Sequence, residues 1–256
     1  LDFAIANIKE KKDNTSSTIT SSVAAAFKSR VCLWEGTFRK YQTSYGLQAS
    51  ANEWLQEAVS AAEYVMNSGY SIYTGDGPEL SYRKLFISTI PVSNEVLYAV
   101  TFDPEQGIVH PGNRRYTSVT FGSSPAPTRS FVNTYLTLDG TPFTDIDGYE
   151  TKSFTEECQN RDYRLAQTIR TPGFTRISGG QIVRTAPNYA FAITGYHICK
   201  FTLDDVQFDN VDVCDNNAIL FRYAEVLLNY AEAKAELGTL TDADWSRTIG
   251  VLRGRA

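Results

Sequence analysis

Apolar residues recur with helical spacing at both ends of the chain and lose that spacing in the middle. The clearest stretch is residues 219–238, ILFRYAEVLLNYAEAKAELG. At 100° per residue, Arg222, Glu225, Asn229, Glu232 and Glu236 fall on one narrow polar stripe. Leu220, Ala224, Leu227, Leu228, Ala231 and Ala235 form a broad apolar face, flanked by Tyr223, Val226, Tyr230 and Leu237. This pattern predicts a helix over 219–237 with neighbours on at least two sides, stopped by Gly238 as its C′ residue. Arg222 and Glu225, three apart on the stripe, are spaced to pair.

Four further helical segments follow from the same reading. Residues 2–12 look like the tail of a helix, and a polar linker covers 13–20. Ser21 or Ser22 is placed to cap a helix to about Lys40, with Val23, Ala26, Phe27, Val31 and Trp34 facing inward. Gly36 within Glu35-Gly36-Thr37-Phe38-Arg39-Lys40 is expected to form its C-terminal turn, where Arg39 and Lys40 suit the dipole. Ser50 and Glu53 have capping-box spacing and open a helix to Ser68, with Ala51, Trp54, Leu55, Ala58, Ala62, Val65 and Met66 inward and Gly69 as its stop. Thr241 and Asp244 make a similar box ahead of a helix to Arg255, whose inner stripe is Trp245, Ile249 and Leu252. The helices pair into two hairpins of tetratricopeptide-like character, separated by about 150 residues. That insertion is expected to pack on the helical layer as a second subregion.

The middle of the chain reads differently. All nine prolines and 11 of the 17 glycines lie between Tyr70 and Asn216, which predicts loops and short strands there. Strand candidates are 95–102 and 193–201, and Leu138-Asp139-Gly140-Thr141-Pro142 is a turn. Residues 103–128 form a long loop-rich stretch, and loops of that length in compact domains are functional or disordered.

Composition narrows the chemistry. A net charge of −5 argues against a nucleic-acid footprint. No apolar run approaches the roughly 18 residues of a membrane span. The four cysteines (32, 158, 199 and 214) have no CxxC spacing, and the two histidines, His110 and His197, lie far apart, so no zinc site is expected. Three disulfide connectivities remain open. Cys32 reads as a free buried thiol, and Cys199 and Cys214 are the best-placed pair if one forms. No hydrolase, phosphate-binding or dinucleotide motif is present, and no cofactor is expected. Among 29 acidic residues a glycosidase carboxylate pair is not identifiable from sequence. The stretch Asn113-Arg114-Arg115-Tyr116, with Phe121 nearby, offers an aromatic face and planar polar groups in one loop, which is the chemistry that sugar binding needs. Tyr149 near Asp147 and Tyr189 near Asn188 are secondary candidates. The three tryptophans (34, 54 and 245) read as core. Asn160-Arg161-Asp162-Tyr163-Arg164 reads as an ion-pair and loop-anchoring element.

Seven segments, in order, resemble the SusD/RagB family of outer-membrane glycan-binding lipoproteins. They are residues 29–41 (SRVCLWEGTFRKY), 58–70 (AVSAAEYVMNSGY), 91–97 (PVSNEVL), 130–135 with Asp139-Gly140, 160–165 (NRDYRL, with Tyr163 where proline is usual), 219–238, and Arg253-Gly254-Arg255-Ala256. The resemblance implies a mainly α fold, an α-α superhelix of tetratricopeptide-like helix pairs, with an irregular loop-rich insertion carrying short strands. It divides one domain into helical 1–69, a ligand-binding 70–216 and a helix pair at 217–256. It implies a non-enzymatic, surface-exposed protein that passes oligosaccharide to a SusC-like TonB-dependent transporter. It also implies a longer parent chain whose N-terminal half carries the first helix pairs and the lipid anchor, its only link to the membrane, and which has a further C-terminal tail. A peptide- or protein-binding helical scaffold and a glycoside hydrolase are the alternatives.

Overall fold

The computed structural model describes residues 1–255. Ala256, the last residue of the 253–256 motif, lies outside the described residues. The fold is mainly α, with four short strands in two two-stranded sheets among the described residues. The chain forms two compact units. One comprises Leu1–Tyr73, Ile90–Val100 and Ala218–Arg255; the other comprises Thr74–Thr89 and Thr101–Asn217.

The first unit is built on three helices, Ser21–Tyr41, Ala51–Met66 and Tyr223–Glu236, which pack against one another. Thr20, rather than Ser21 or Ser22, caps the first, accepting from the Val23 N–H at 3.3 Å. Its buried face runs through Ala25, Ala26, Ser29, Cys32, Leu33 and Gly36. The expected inward stripe is therefore rotated, and Phe27 and Trp34 are exposed, Trp34 by 62%. Small residues decide this: they allow backbone approach that aromatic side chains would block. Gly36 does not end the helix. A Cβ there would sit 2.8 Å from Leu55 Cγ, so glycine marks a close approach and the helix continues to Tyr41.

The Ser50–Glu53 box does not form. Ser50 is the last residue of a short 3-10 turn, Gln48–Ser50, and its hydroxyl donates to Leu47 O and accepts from Arg39 instead. Leu55, Ala58, Ala62 and Val65 are fully buried as the periodicity requires, and Gly69 takes φ +79° beyond the helix end. At the start of the chain only Asp2–Asn7 is helical.

The predicted helix over 219–237 is shorter than its pattern. Ala218–Arg222 is a strand, paired antiparallel with Val96–Val100, and the helix starts at Tyr223. Ile219, Leu220 and Phe221 suit a pleated surface as well as a helix, and the distant strand decides between them. The polar stripe dissolves accordingly. Arg222 pairs with Glu95, Glu225 with Arg30, and Asn229 is buried on the Ser29 hydroxyl at 3.0 Å. Leu220, Leu228 and Ala235 are exposed. Gly238 does stop the helix, at φ +69°, with its N–H on Ala235 O. The Thr241–Asp244 capping box forms as predicted. The segment it opens runs on through a π-helical stretch, Ser246–Gly250, to Gly254, with Leu252 buried but Trp245 exposed.

Glu95 is the polar centre of this unit. It is fully buried and accepts from Arg222 at 2.7 Å, from Arg255 at 2.6 Å and from the Tyr73 N–H at 2.7 Å. One carboxylate thus joins the strand pair to the last helix.

The second unit is made of short helices and loops. Thr175–Ser178 and Gln181–Arg184 form a hairpin whose two-residue turn, Gly179-Gly180, has both φ values positive, as a type I′ turn demands. The expected strand over 193–201 is absent; it contributes one bridge, Ile198 to Ile169. Arg161 stacks on Phe143 at 3.7 Å and donates to the carbonyls of Val132, Tyr135 and Glu157, while Asp162 caps the next helix and pairs with Arg164. That motif anchors loops, as predicted. All four cysteines are free. Cys199 and Cys214 are both buried but separately engaged, on Ala166 O and on Asn113, and burial pushes the Cys199 thiol up to about 11.

Candidate functional site

The site grows from the anchoring of Gly112–Thr117, a short helix after Pro111. His110 exchanges main-chain hydrogen bonds with Cys214. Its Nδ1 accepts from the Gly112 N–H at 3.0 Å, so its Nε2–H donates to Asn216 O at 2.9 Å. A Cβ at Gly112 would lie 2.6 Å from the His110 ring, so only glycine fits. Asn113 is fully buried: its amide donates to Leu203 O and Asp209, and its carbonyl accepts from the Leu203 N–H at 2.7 Å. It fastens the segment, and every hydrogen-bonding edge a sugar would use is occupied.

The next residues turn outward. Arg114 pairs with Asp212 at 2.9 Å and lays its guanidinium on the Phe121 ring at 3.7 Å. Phe121 is 67% exposed. Its position is set by a tight turn in which the Gly122 N–H reaches Ser118 O at 3.0 Å, where a Cβ at 122 would collide with that oxygen at 2.2 Å. Arg115 is exposed and has no partner among the described residues. Pro111, Arg114, Arg115, Phe121 and Asp212 line a shallow pocket of about 220 Å³.

Of the predicted site residues, the structure brings Arg114, Arg115 and Phe121 together. Tyr116 is half-buried, and its carbonyl accepts from His197 Nε2 at 2.9 Å. Tyr149 is half-buried edge-on to Phe143. Neither lines that pocket. Tyr189, in contrast, is 77% exposed at the rim of a second pocket of about 280 Å³, with Phe154, Glu157, Thr194 and Tyr196. Glu157 is buried there between Arg129 and the Tyr196 hydroxyl, which donates to it at 2.9 Å. Burial and that carboxylate push the Tyr196 hydroxyl up to about 12, so it stays a donor at all physiological pH. Sequence reasoning missed Asp212, Glu157 and Tyr196. Only the pairing of Asp212 with Arg114, 98 residues apart, makes it a site residue, and nothing local signals it.

The SusD family model matches residues 118–256. The chain belongs to the SusD family. Two solved structures share its fold. A SusD-like protein from Bacteroides fragilis superposes with a TM-score of 0.73 at 20% identity, covering 99% of this chain and 50% of that one. A SusD superfamily protein from Parabacteroides distasonis gives 0.56 at 21% identity, covering 96% and 46%. The chain therefore spans about half the length of these relatives. No curated protein sequence matches it.

Proposed function

We propose that this chain is part of a surface-exposed, non-catalytic glycan-binding protein of the outer membrane. It captures oligosaccharide and hands it to a SusC-like TonB-dependent transporter, and a lipid anchor holds it at the membrane. In this reading residues 70–216 face ligand, and 1–69 and 217–256 are scaffold. The observation that carries it is the exposed Phe121 face flanked by Arg114 and Arg115 in a chain of the SusD family. An open aromatic ledge with guanidinium donors suits the apolar face and vicinal hydroxyls of a sugar ring. Tyr189 offers a second aromatic surface.

A hydrolase would need two carboxylates facing across the scissile bond. Each aromatic pocket carries one carboxylate, Asp212 or Glu157, and each is already in an ion pair. Affinity electrophoresis of the full-length protein against a glycan panel tests the reading, alongside chromogenic glycosides. Retardation by at least one glycan without turnover is expected. No retardation by any glycan, with binding to a peptide library, or turnover of a glycoside, overturns it.

A further inference from the structure

The pocket at Phe121 carries an unbalanced charge. Among its lining residues two guanidiniums, Arg114 and Arg115, face one carboxylate, Asp212. That carboxylate is taken. Arg114 Nη1 donates to both Asp212 oxygens, at 3.0 and 2.9 Å, and the two charges cancel. Arg114 is further committed by its stacking on the Phe121 ring and by the burial of its Nε. Arg115 is different. It is exposed, lines the open pocket and has no carboxylate against it among the described residues, although the chain as a whole has a net charge of −5. One full positive charge is therefore presented beside the aromatic ring, with open space next to it.

The backbone holds the charge and the ring together before any ligand arrives. Arg115 sits in the Gly112–Thr117 helix, which Asn113 fastens to Leu203 and Asp209. The turn that carries Phe121 packs onto that helix. A Cβ at Gly122 would lie 2.8 Å from Arg115 O as well as 2.2 Å from Ser118 O, so the turn closes directly on the residue that bears the charge. Such preorganisation lowers the ordering cost of binding.

The free guanidinium has a chemical preference. Sugar hydroxyls accept hydrogen bonds from arginine, but they do not compensate its charge. An oxyanion does both, because the flat fork of parallel N–H donors matches the oxygens of a carboxylate or sulfate. A sugar ring lying on Phe121 directs its equatorial substituents outward in its own plane, toward the pocket walls, of which Arg115 is one. We propose that this ledge selects acidic glycans: a sugar unit bearing a carboxylate or sulfate stacks on Phe121 and places that group on Arg115. This selection rests on the glycan reading above and narrows it to a substrate class.

Isothermal titration of the full-length protein with matched glycan pairs tests it. The pairs are sialyllactose with lactose, oligogalacturonate with its methyl ester, and sulfated with desulfated carrageenan oligosaccharides. In at least one pair the acidic member is expected to bind at least about tenfold more tightly, as a charge-assisted hydrogen bond allows. The pair that shows the preference distinguishes carboxylate from sulfate. The ratio should shrink as sodium chloride rises from about 0.05 to 0.5 M, since exposed charges are screened. Arg115→Gln should bring the ratio close to one. Arg115 is exposed and unpaired, so the variant should unfold within about 2 °C of the wild type. Neutral members that bind as tightly as acidic ones, or a preference that survives Arg115→Gln, would overturn acid selection and leave the glycan reading standing. Binding to no member of any pair, with retardation by another, neutral glycan, would do the same. Retardation by no glycan at all would overturn both.

Discussion

Each unit buries charge, and the two do it in opposite ways. In the helical unit, Glu95 is enclosed by Arg222, Arg255 and the Tyr73 N–H, all on residues of that unit. In the loop-rich unit, Arg83, Arg170 and Arg176 share Asp204 and Asp209, and Arg170 is left without either. The first arrangement is closed around its carboxylate: Glu95 accepts from three donors of its own unit and ties a strand pair to a helix end. The second leaves one buried guanidinium without a carboxylate of its own. A scaffold benefits from the first, because removing any member strands another buried charge.

Removing Glu95 should have the largest effect. Glu95→Ala leaves Arg255 and Arg222 without their carboxylate, and urea unfolding should show a loss of about 3–5 kcal/mol. A loss below about 1 kcal/mol would mean that the closed network is not a stabilising centre. The next effect depends on pH and belongs to the other unit. His197 is neutral in the folded protein down to about 4, against an ordinary value of 6.5. Between those values the unfolded chain binds a proton that the folded one does not, so stability present above pH 6.5 is lost progressively as pH falls toward 4. His197→Gln should flatten that slope, and an unchanged slope would assign the acid sensitivity elsewhere. Gly36→Ala probes how tightly the helices pack. Overpacking against Leu55 at about 1–3 kcal/mol should outweigh the roughly 1 kcal/mol that alanine gains within a helix, for a net loss near 1 kcal/mol in the same urea assay. Arg170→Met should be the mildest. It strands no hydrogen-bond partner, so its stability should equal or exceed that of the wild type. A loss like that of Glu95→Ala would erase the contrast between the two networks.

What the sequence discloses follows the range of the interactions involved. Gly238 and the Thr241–Asp244 box act within a few residues, and both stand where the pattern puts them. The loop-anchoring role of Arg161 and Asp162 is likewise local in its acceptors and its cap. Ile219 to Arg222 fails as a helix because its partner strand lies more than 100 residues upstream, and a short apolar run fits either period. Ser50 has the right spacing for a box, but Arg39 and Leu47 compete for its hydroxyl. Trp34 shows the limit of residue type as a guide: Ala25, Ser29 and Gly36 set the packing face, and the large aromatic is turned out. The site divides in the same way. Arg114 and Arg115, in a short helix, and Phe121, in the turn after it, lie within one short stretch and could be read together. Asn113, adjacent to them, is captured by Leu203 and Asp209 from a distant segment and serves the fold.

Phe121 is the residue on which glycan binding at this site depends most directly in the proposed function. Isothermal titration of the full-length protein with a glycan that it retards, repeated with Phe121→Ala, reads the ledge directly. Phe121 projects into solvent, so the unfolding midpoint should stay within about 2 °C of the wild type, since exposed positions change stability little. Affinity is expected to fall by at least about tenfold, the equivalent of roughly 1.4 kcal/mol. Unchanged affinity in a folded Phe121→Ala protein would contradict this and place glycan binding away from the Arg114–Phe121 segment.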